Sequence, residues 1–198
     1  RIKSTHSLEF KFMKIAILAS GAGSNAANII QHFKNTPVQI SLIACNKADA
    51  GVFQIAKDNQ IDSILLTKEN FKTSDQFVNE LQQRQIDLVI LAGFLWLVPS
   101  NLVKAFDDRI INIHPALLPK FGGKGMYGHF VHEAVVAAGE TESGITIHYV
   151  NEHYDEGATI FQSSFPVLPN DTPEDVAKKG QVLEHRDFPK VIESLVNP

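Results

Sequence analysis

Asn112-Ile113-His114-Pro115-Ala116-Leu117-Leu118-Pro119-Lys120 is the stretch on which the reading of this chain turns. It follows Arg109-Ile110-Ile111 and carries two polar side chains at alternate positions. In an extended strand residues i and i+2 point to the same side, so Asn112 and His114 project together from the strand's carboxyl end. Open parallel sheets place their ligands at that end. An amide that donates a hydrogen bond and an imidazole that moves a proton suit acyl transfer. Taken alone, the spacing better fits a satisfied, partly buried histidine beside a loop asparagine. Asp155, in a polar connection downstream, tilts the reading toward chemistry.

Working outward, a chain of 198 residues suits one domain with a sizeable core. Its 44% hydrophobic and 20% charged residues are ordinary for a soluble globular protein, and no apolar run is long enough to span a bilayer. A formal charge of −4 offers no general basic field for nucleic acid, while a local patch could still hold a small anion. The lone Cys45 allows no intramolecular disulfide and no cysteine-based metal site. It reads as a small buried residue at a strand end in a reducing, cytoplasmic setting. Residues 1–12 precede Met13 and lack periodicity, so they read as a leader or appended segment rather than a secretory signal. Residues 13–198 then form the single domain.

Ile15 to Ala19 is a short apolar run ending in Ser20-Gly21-Ala22-Gly23-Ser24-Asn25, followed by helical spacing from Ala26 to Phe33. Strand, glycine turn and helix favour an anion at the exposed amides, with Ser24 available as a cap. The turn lacks both the full dinucleotide fingerprint and the Walker Lys-Ser/Thr pair, so a structural βα turn stays open. Strands are expected at Val38–Ala44 and Ile61–Leu66 around a helix at Ala48–Asn59. Thr73 or Ser74 could cap a helix containing Phe77, Val78 and Leu81. Ile86 to Gly93 is the most continuous apolar run, as for a central strand buried on both faces. The apolar loop Phe94 to Val98 after it either lines a pocket for a flat ligand or packs under a helix.

A short helix over Ser100–Phe106 precedes the Asn112/His114 strand, and Phe121 to Gly128 is a glycine-rich loop that could close over a site or be a surface insertion. A helix follows at His129–Ala138, with His129 and His132 expected as surface or loop contacts rather than metal ligands. Ser143–Val150 and Ala158–Val167 read as an antiparallel pair bracketing Asp155-Glu156-Gly157. The tail is a helix starting near Thr172-Pro173 and interrupted near Pro189. The fold class is α/β: a Rossmann-like, mostly parallel sheet with helices on both faces and a C-terminal antiparallel pair.

Gly21-Ala22-Gly23-Ser24-Asn25, Ala92-Gly93-Phe94, Asn112-Ile113-His114-Pro115 with Leu117-Leu118-Pro119, Asp155-Glu156-Gly157 and Glu184-His185 together closely resemble the folate-dependent formyltransferase family, in its phosphoribosylglycinamide branch. The resemblance runs from Met13 to the C-terminus. It implies transfer of a formyl group from 10-formyltetrahydrofolate to the amine of 5-phosphoribosylglycinamide in purine biosynthesis, with small-molecule substrates, no metal, no nucleic acid and no membrane. By match to the family, Asn112 would bond the formyl oxygen, His114 would donate a proton, and Asp155 would raise the histidine pKa and organise proton transfer through water. Gly23, Ser24, Asn25, Ala26 and Ala27 match the segment for the ribonucleotide phosphate. Glu184 matches the ribose-hydroxyl contact, which Gln181 could join from one helical turn away. Leu95, Trp96, Leu97 and Val98 match the pterin segment, together with Asn112.

Relatives often carry arginine at the position of Trp96 and another in the connection holding Asn70 and Lys72. Lys72 is the candidate to replace that cation toward the folate glutamate, without arginine's fork of donors. The rival reading within the family is formyltetrahydrofolate deformylase, which delivers the formyl group to water. Methionyl-tRNA formyltransferase shares the Leu-Leu-Pro region but adds an RNA-binding domain. A non-catalytic nucleotide-binding module is the rival from another class.

Overall fold

The structure is a computed structural model that describes residues 13–196, and the reading of residues 1–12 lies outside the described residues. Among the described residues seven strands form one sheet: β1 (Met13–Ala19), β2 (Val38–Cys45), β3 (Ser63–Leu65), β4 (Leu88–Leu91), β5 (Ile110–His114), β6 (Glu142–Tyr149) and β7 (Thr159–Pro166). Their order is β3-β2-β1-β4-β5-β6-β7. The first five run parallel, whereas β6 is antiparallel to both β5 and β7. The helices are α1 (Ser24–Phe33), α2 (Val52–Asp58), α3 (Gln76–Gln83), α4 (Ser100–Ala105), α5 (His129–Ala137) and α6 (Pro173–Val196). The expected α/β architecture is the one found.

Alternation along the central strands explains why they read as unbroken apolar runs. Ile15, Ile17, Ile43 and Ile90 face one way, onto Ala26, Ile29 and Phe33 of α1 and Leu183, Phe188 and Ile192 of α6. Ala16, Leu18, Leu42 and Val89 face the other way, onto Phe77 and Leu81 of α3 and Leu102 of α4. Both faces are therefore covered, which leaves the strand ends as the place for a ligand.

Several local expectations shift. The helix expected from Ala48 begins only at Val52, and the third strand shortens to Ser63–Leu65 because, at the sheet edge, it has β2 alone to pair with. The polar connection near Asn70 is a π-helical turn at Lys68–Lys72. Thr67 Oγ1 accepts from the Asn70 amide at 3.1 Å while Asn70 Oδ1 accepts from the Thr67 amide at 2.8 Å, so Asn70 is spent on capping. Thr73 bonds back to the Lys68 and Glu69 carbonyls rather than capping α3, and Ser74 Oγ reaches the Gln76 amide only at 3.4 Å.

The C-terminal helix is not interrupted: α6 runs through Pro189, which is buried within it. A proline inside a helix removes the N–H that would reach the carbonyl four residues back, here that of His185. Asn28 on α1 supplies the missing donor, its Nδ2 lying 2.6 Å from the His185 carbonyl. The same exchange docks α1 against α6. Asn28→Ala should therefore cost about 1–3 kcal/mol in denaturant unfolding by leaving that acceptor unsatisfied. In a Pro189→Ala background, where residue 189 regains its amide, the cost should fall to less than half; an equal cost in both backgrounds would refute the exchange.

Candidate active site

The polar face at the sheet's end follows from strand register. Asn112 on β5 stands opposite His148 on β6, and His114 opposite Thr146. Their neighbours Ile111, Ile113, Ile145 and Ile147 point to the α1/α6 core, so these four polar side chains share the other face. His114, Thr146 and His148 are all buried, and burial of polar groups requires partners. Thr146 is fully paired: Oγ1 donates to the Ala116 carbonyl at 2.7 Å and accepts from the Leu118 amide at 3.0 Å and Gln162 Nε2 at 2.9 Å. That one hydroxyl anchors the Ala116–Leu118 turn beside His114.

Around His114 two acceptors face the two ring nitrogens. Nε2 donates to the Phe121 carbonyl at 2.7 Å, and Nδ1 lies 3.5 Å from Asp155 Oδ2. The Gly123 amide donates to that same carboxylate oxygen at 3.0 Å, so the loop segment Phe121–Gly123 touches both His114 and Asp155. Asp155 Oδ1 faces His148 Nε2 at 3.6 Å, and the Asn112 amide nitrogen lies 3.1 Å from that Nε2. The His148 Nδ1–H donates to the Tyr149 carbonyl at 2.8 Å. Asp155 itself holds a φ of +57°, a left-handed conformation that aspartate tolerates better than most residues.

Burial alone would raise the Asp155 carboxyl, but His148, His114 and the Gly123 amide together hold it below its ordinary value. For His114 the expected pull from Asp155 is present but does not set the net direction. Asp155 and the Phe121 carbonyl do pull its pKa up, yet burial outweighs them and leaves it below the ordinary imidazole value. The Phe121 carbonyl can only accept, so Nε2 of His114 carries a proton.

These groups line a cavity of about 540 Å³. Its wall also includes Asn25, Glu184 and the whole run Leu95, Trp96, Leu97 and Val98. Asn25 Nδ2 donates to Glu184 Oε2 at 2.7 Å, a side-chain bridge between α1 and α6. Burial pushes the Glu184 carboxyl up, against the pull of that donor. Gly23, Ser24, Ala26 and Ala27 stand at the start of α1 but outside the cavity wall, and Ala26 is fully buried toward the core. Ser24 is not the helix cap: Gly23, at φ +83°, occupies that position, and Ser24 Oγ instead meets Gln181 Nε2 at 3.4 Å. Ser20 links this turn to the segment after β4, its Oγ accepting from the Leu95 amide at 2.9 Å and donating to Asn46 Oδ1.

Trp96 both lines the cavity and packs on Phe71 and Phe94, so the two readings of that loop hold together. Lys72 lies over the Trp96 ring, Nζ 4.8 Å from its centroid, a cation–π contact. His129 is exposed as expected, but His132 is not a surface residue: it is buried, lines the cavity and leaves Nδ1 without a partner, and burial lowers its pKa. His148, Thr146 and the Phe121 carbonyl are parts of the site that sequence reasoning missed. The alternation in Ser143–Val150 sets Thr146 and His148 on one face, but only the β5–β6 register shows that this face belongs to Asn112 and His114.

Comparison with known proteins agrees with this geometry. The formyl transferase family profile matches residues 13–192. A chloroplastic phosphoribosylglycinamide formyltransferase of Arabidopsis thaliana is 43% identical over 186 residues, covering 90% of this chain and 64% of that protein. Its counterpart in Vigna unguiculata is 42% identical over 188 residues, covering 92% of this chain and 60% of that protein. The chain thus spans somewhat under two thirds of the length of these plant relatives. The crystal structure of phosphoribosylglycinamide formyltransferase from Bacillus halodurans superposes with a TM-score of 0.84 at 36% identity, covering 93% of this chain and 95% of that one. By profile, sequence identity and fold, the chain belongs to the formyl transferase family.

Proposed function

We propose that the chain transfers a formyl group from 10-formyltetrahydrofolate to the amine of 5-phosphoribosylglycinamide, with residues 13–198 acting as one formyltransferase domain. The observation that carries this reading is the convergence of Asn112, His114 and Asp155 on one cavity also lined by Asn25, Glu184 and Leu95–Val98. Attack of the amine on the formyl carbon forms a C–N bond and moves charge onto the formyl oxygen. The Asn112 amide N–H and the His114 Nε2–H are the donors for that oxygen. For this, Nε2 must exchange its bond to the Phe121 carbonyl for one to the substrate. The C–N10 bond then breaks, and the proton lost by the amine ends on N10 of the folate. Asp155, held ionised beside both histidines, accepts and relays that proton through water. No oxidant, reductant or metal enters this balance.

The amides at the start of α1 suit the ribonucleotide phosphate, and Glu184, once freed from Asn25, suits the ribose hydroxyls. The Leu95–Val98 segment, with Asn112, takes the pterin of the donor. Lys72 would leave Trp96 to meet the folate glutamate. The partners are then small molecules rather than nucleic acid or membrane; no helix among the described residues is long and apolar enough to cross one. A single buried free thiol, Cys45, fits a cytoplasmic setting.

The test is the absorbance change on release of tetrahydrofolate, with and without the ribonucleotide. Turnover should require the amine. His114→Ala should lower kcat by about 10²–10⁴-fold and Asn112→Ala by about 10²–10³-fold. Equal turnover without the amine would replace this reading by the deformylase, and tight ribonucleotide binding with no turnover by the binding module.

Glu184 gives a separate pH prediction. Its carboxyl is raised in the folded chain, so burying the ionised form costs stability above the unfolded pKa and nothing below it. Glu184→Gln should therefore raise Tm at neutral pH, with the gain disappearing as the pH falls below the ordinary glutamate range. The same variant should weaken ribonucleotide binding at neutral pH by calorimetry. A variant less stable than wild type at pH 7 would contradict the direction.

A further inference from the structure

We infer that His148 is a positioning residue, which fixes the amide of Asn112 so that its NH2 group, not its carbonyl, is presented to the reacting oxygen. The inference rests on the formyl-transfer reading for its consequence, but the orientation itself follows from two contacts. The Tyr149 carbonyl can only accept, so His148 Nδ1, at 2.8 Å, carries a proton. A neutral imidazole with its proton on Nδ1 has a lone pair on Nε2. That lone pair faces the Asn112 side chain at 3.1 Å and can be satisfied only by the amide NH2. One N–H of Asn112 is thereby used, the second remains for a ligand in the cavity that Asn112 lines, and the alternative flip is disfavoured.

The rest of the surroundings fits this role. His148 is buried directly opposite Asn112 in the β5–β6 register. The charged or titratable groups nearest it are Asp155, 3.6 Å from Nε2, and His114 across that same carboxylate. Were Nε2 protonated, it would turn its N–H to Asp155 and confront the Asn112 NH2, which would then have to rotate its carbonyl inward. The bare Nε2 is thus what makes Asn112 a donor. His148 need not touch the formyl group to matter; its effect passes through Asn112.

Two measurements test this on the intact chain. Two-bond 1H–15N correlation spectra of the histidine rings should show His148 with its proton on Nδ1 and none on Nε2, and Asn112→Ala should move the Nε2 resonance toward that of a free lone pair. A Nε2–H form or an imidazolium would overturn the inference. This arm needs no turnover, so it stands apart from any failure of the formyl-transfer reading. Kinetically, His148→Leu should lower kcat at least tenfold with both KM values within threefold of wild type, and His148→Gln, which restores an acceptor, should recover part of the loss. Introduced into Asn112→Ala, His148→Leu should change kcat less than threefold. An equal loss in both backgrounds would show that His148 does not act through Asn112. If His148→Leu fails to fold, the wild-type tautomer decides.

Discussion

The antiparallel register of β6 on β5 is the constraint on which the site depends. It sets His148 against Asn112 and Thr146 against His114, and it turns four isoleucines away into the α1/α6 core. A slip of one residue would bring isoleucine side chains of β6 opposite Asn112 and His114 and carry Thr146 and His148 into the core. The apolar packing of one face therefore guarantees the polar chemistry of the other. Thr146 extends this control, because its hydroxyl pins the Ala116–Leu118 turn that leads into the glycine-rich loop.

Within that frame the electrostatics are set by burial. His114 lies in surroundings dry enough to outweigh the pull of a carboxylate at 3.5 Å, while the Asp155 carboxyl is held below its ordinary value despite its burial. Within the loop from Phe121 to Gly123, the Phe121 carbonyl accepts from His114 and the Gly123 amide donates to Asp155. A buried donor left without an acceptor is costly, and the Phe121 carbonyl removes that cost until a ligand oxygen can take its place. A similar economy holds at Glu184, whose carboxylate is kept by Asn25.

Much of this was legible in the sequence because it rests on local pattern. The strand runs, the Asn112/His114 alternation, the glycine turn before α1 and the Asp155 connection all record which side of an element a residue occupies. The motifs that resemble the formyltransferases then joined positions far apart in the chain. What stayed hidden depends on partners distant in sequence. Pro189 signals a helix break unless Asn28 is known to sit beside His185. His132 looks like a surface histidine until α5 is seen to turn it toward the cavity. His148 is one more residue in an alternating strand until register sets it beside Asn112. The sign of the His114 shift needs the depth of burial, which no motif encodes.

The most direct measurement of the central claim is a crystal structure with 5-phosphoribosylglycinamide and a stable analogue of the formyl donor bound together. The account predicts the analogue's formyl-equivalent oxygen within hydrogen-bond distance of both Asn112 Nδ2 and His114 Nε2, with the Phe121 carbonyl displaced. It also predicts the Asn112–His148 contact unchanged. A donor bound elsewhere, or one bound while Phe121 still holds His114, would contradict it.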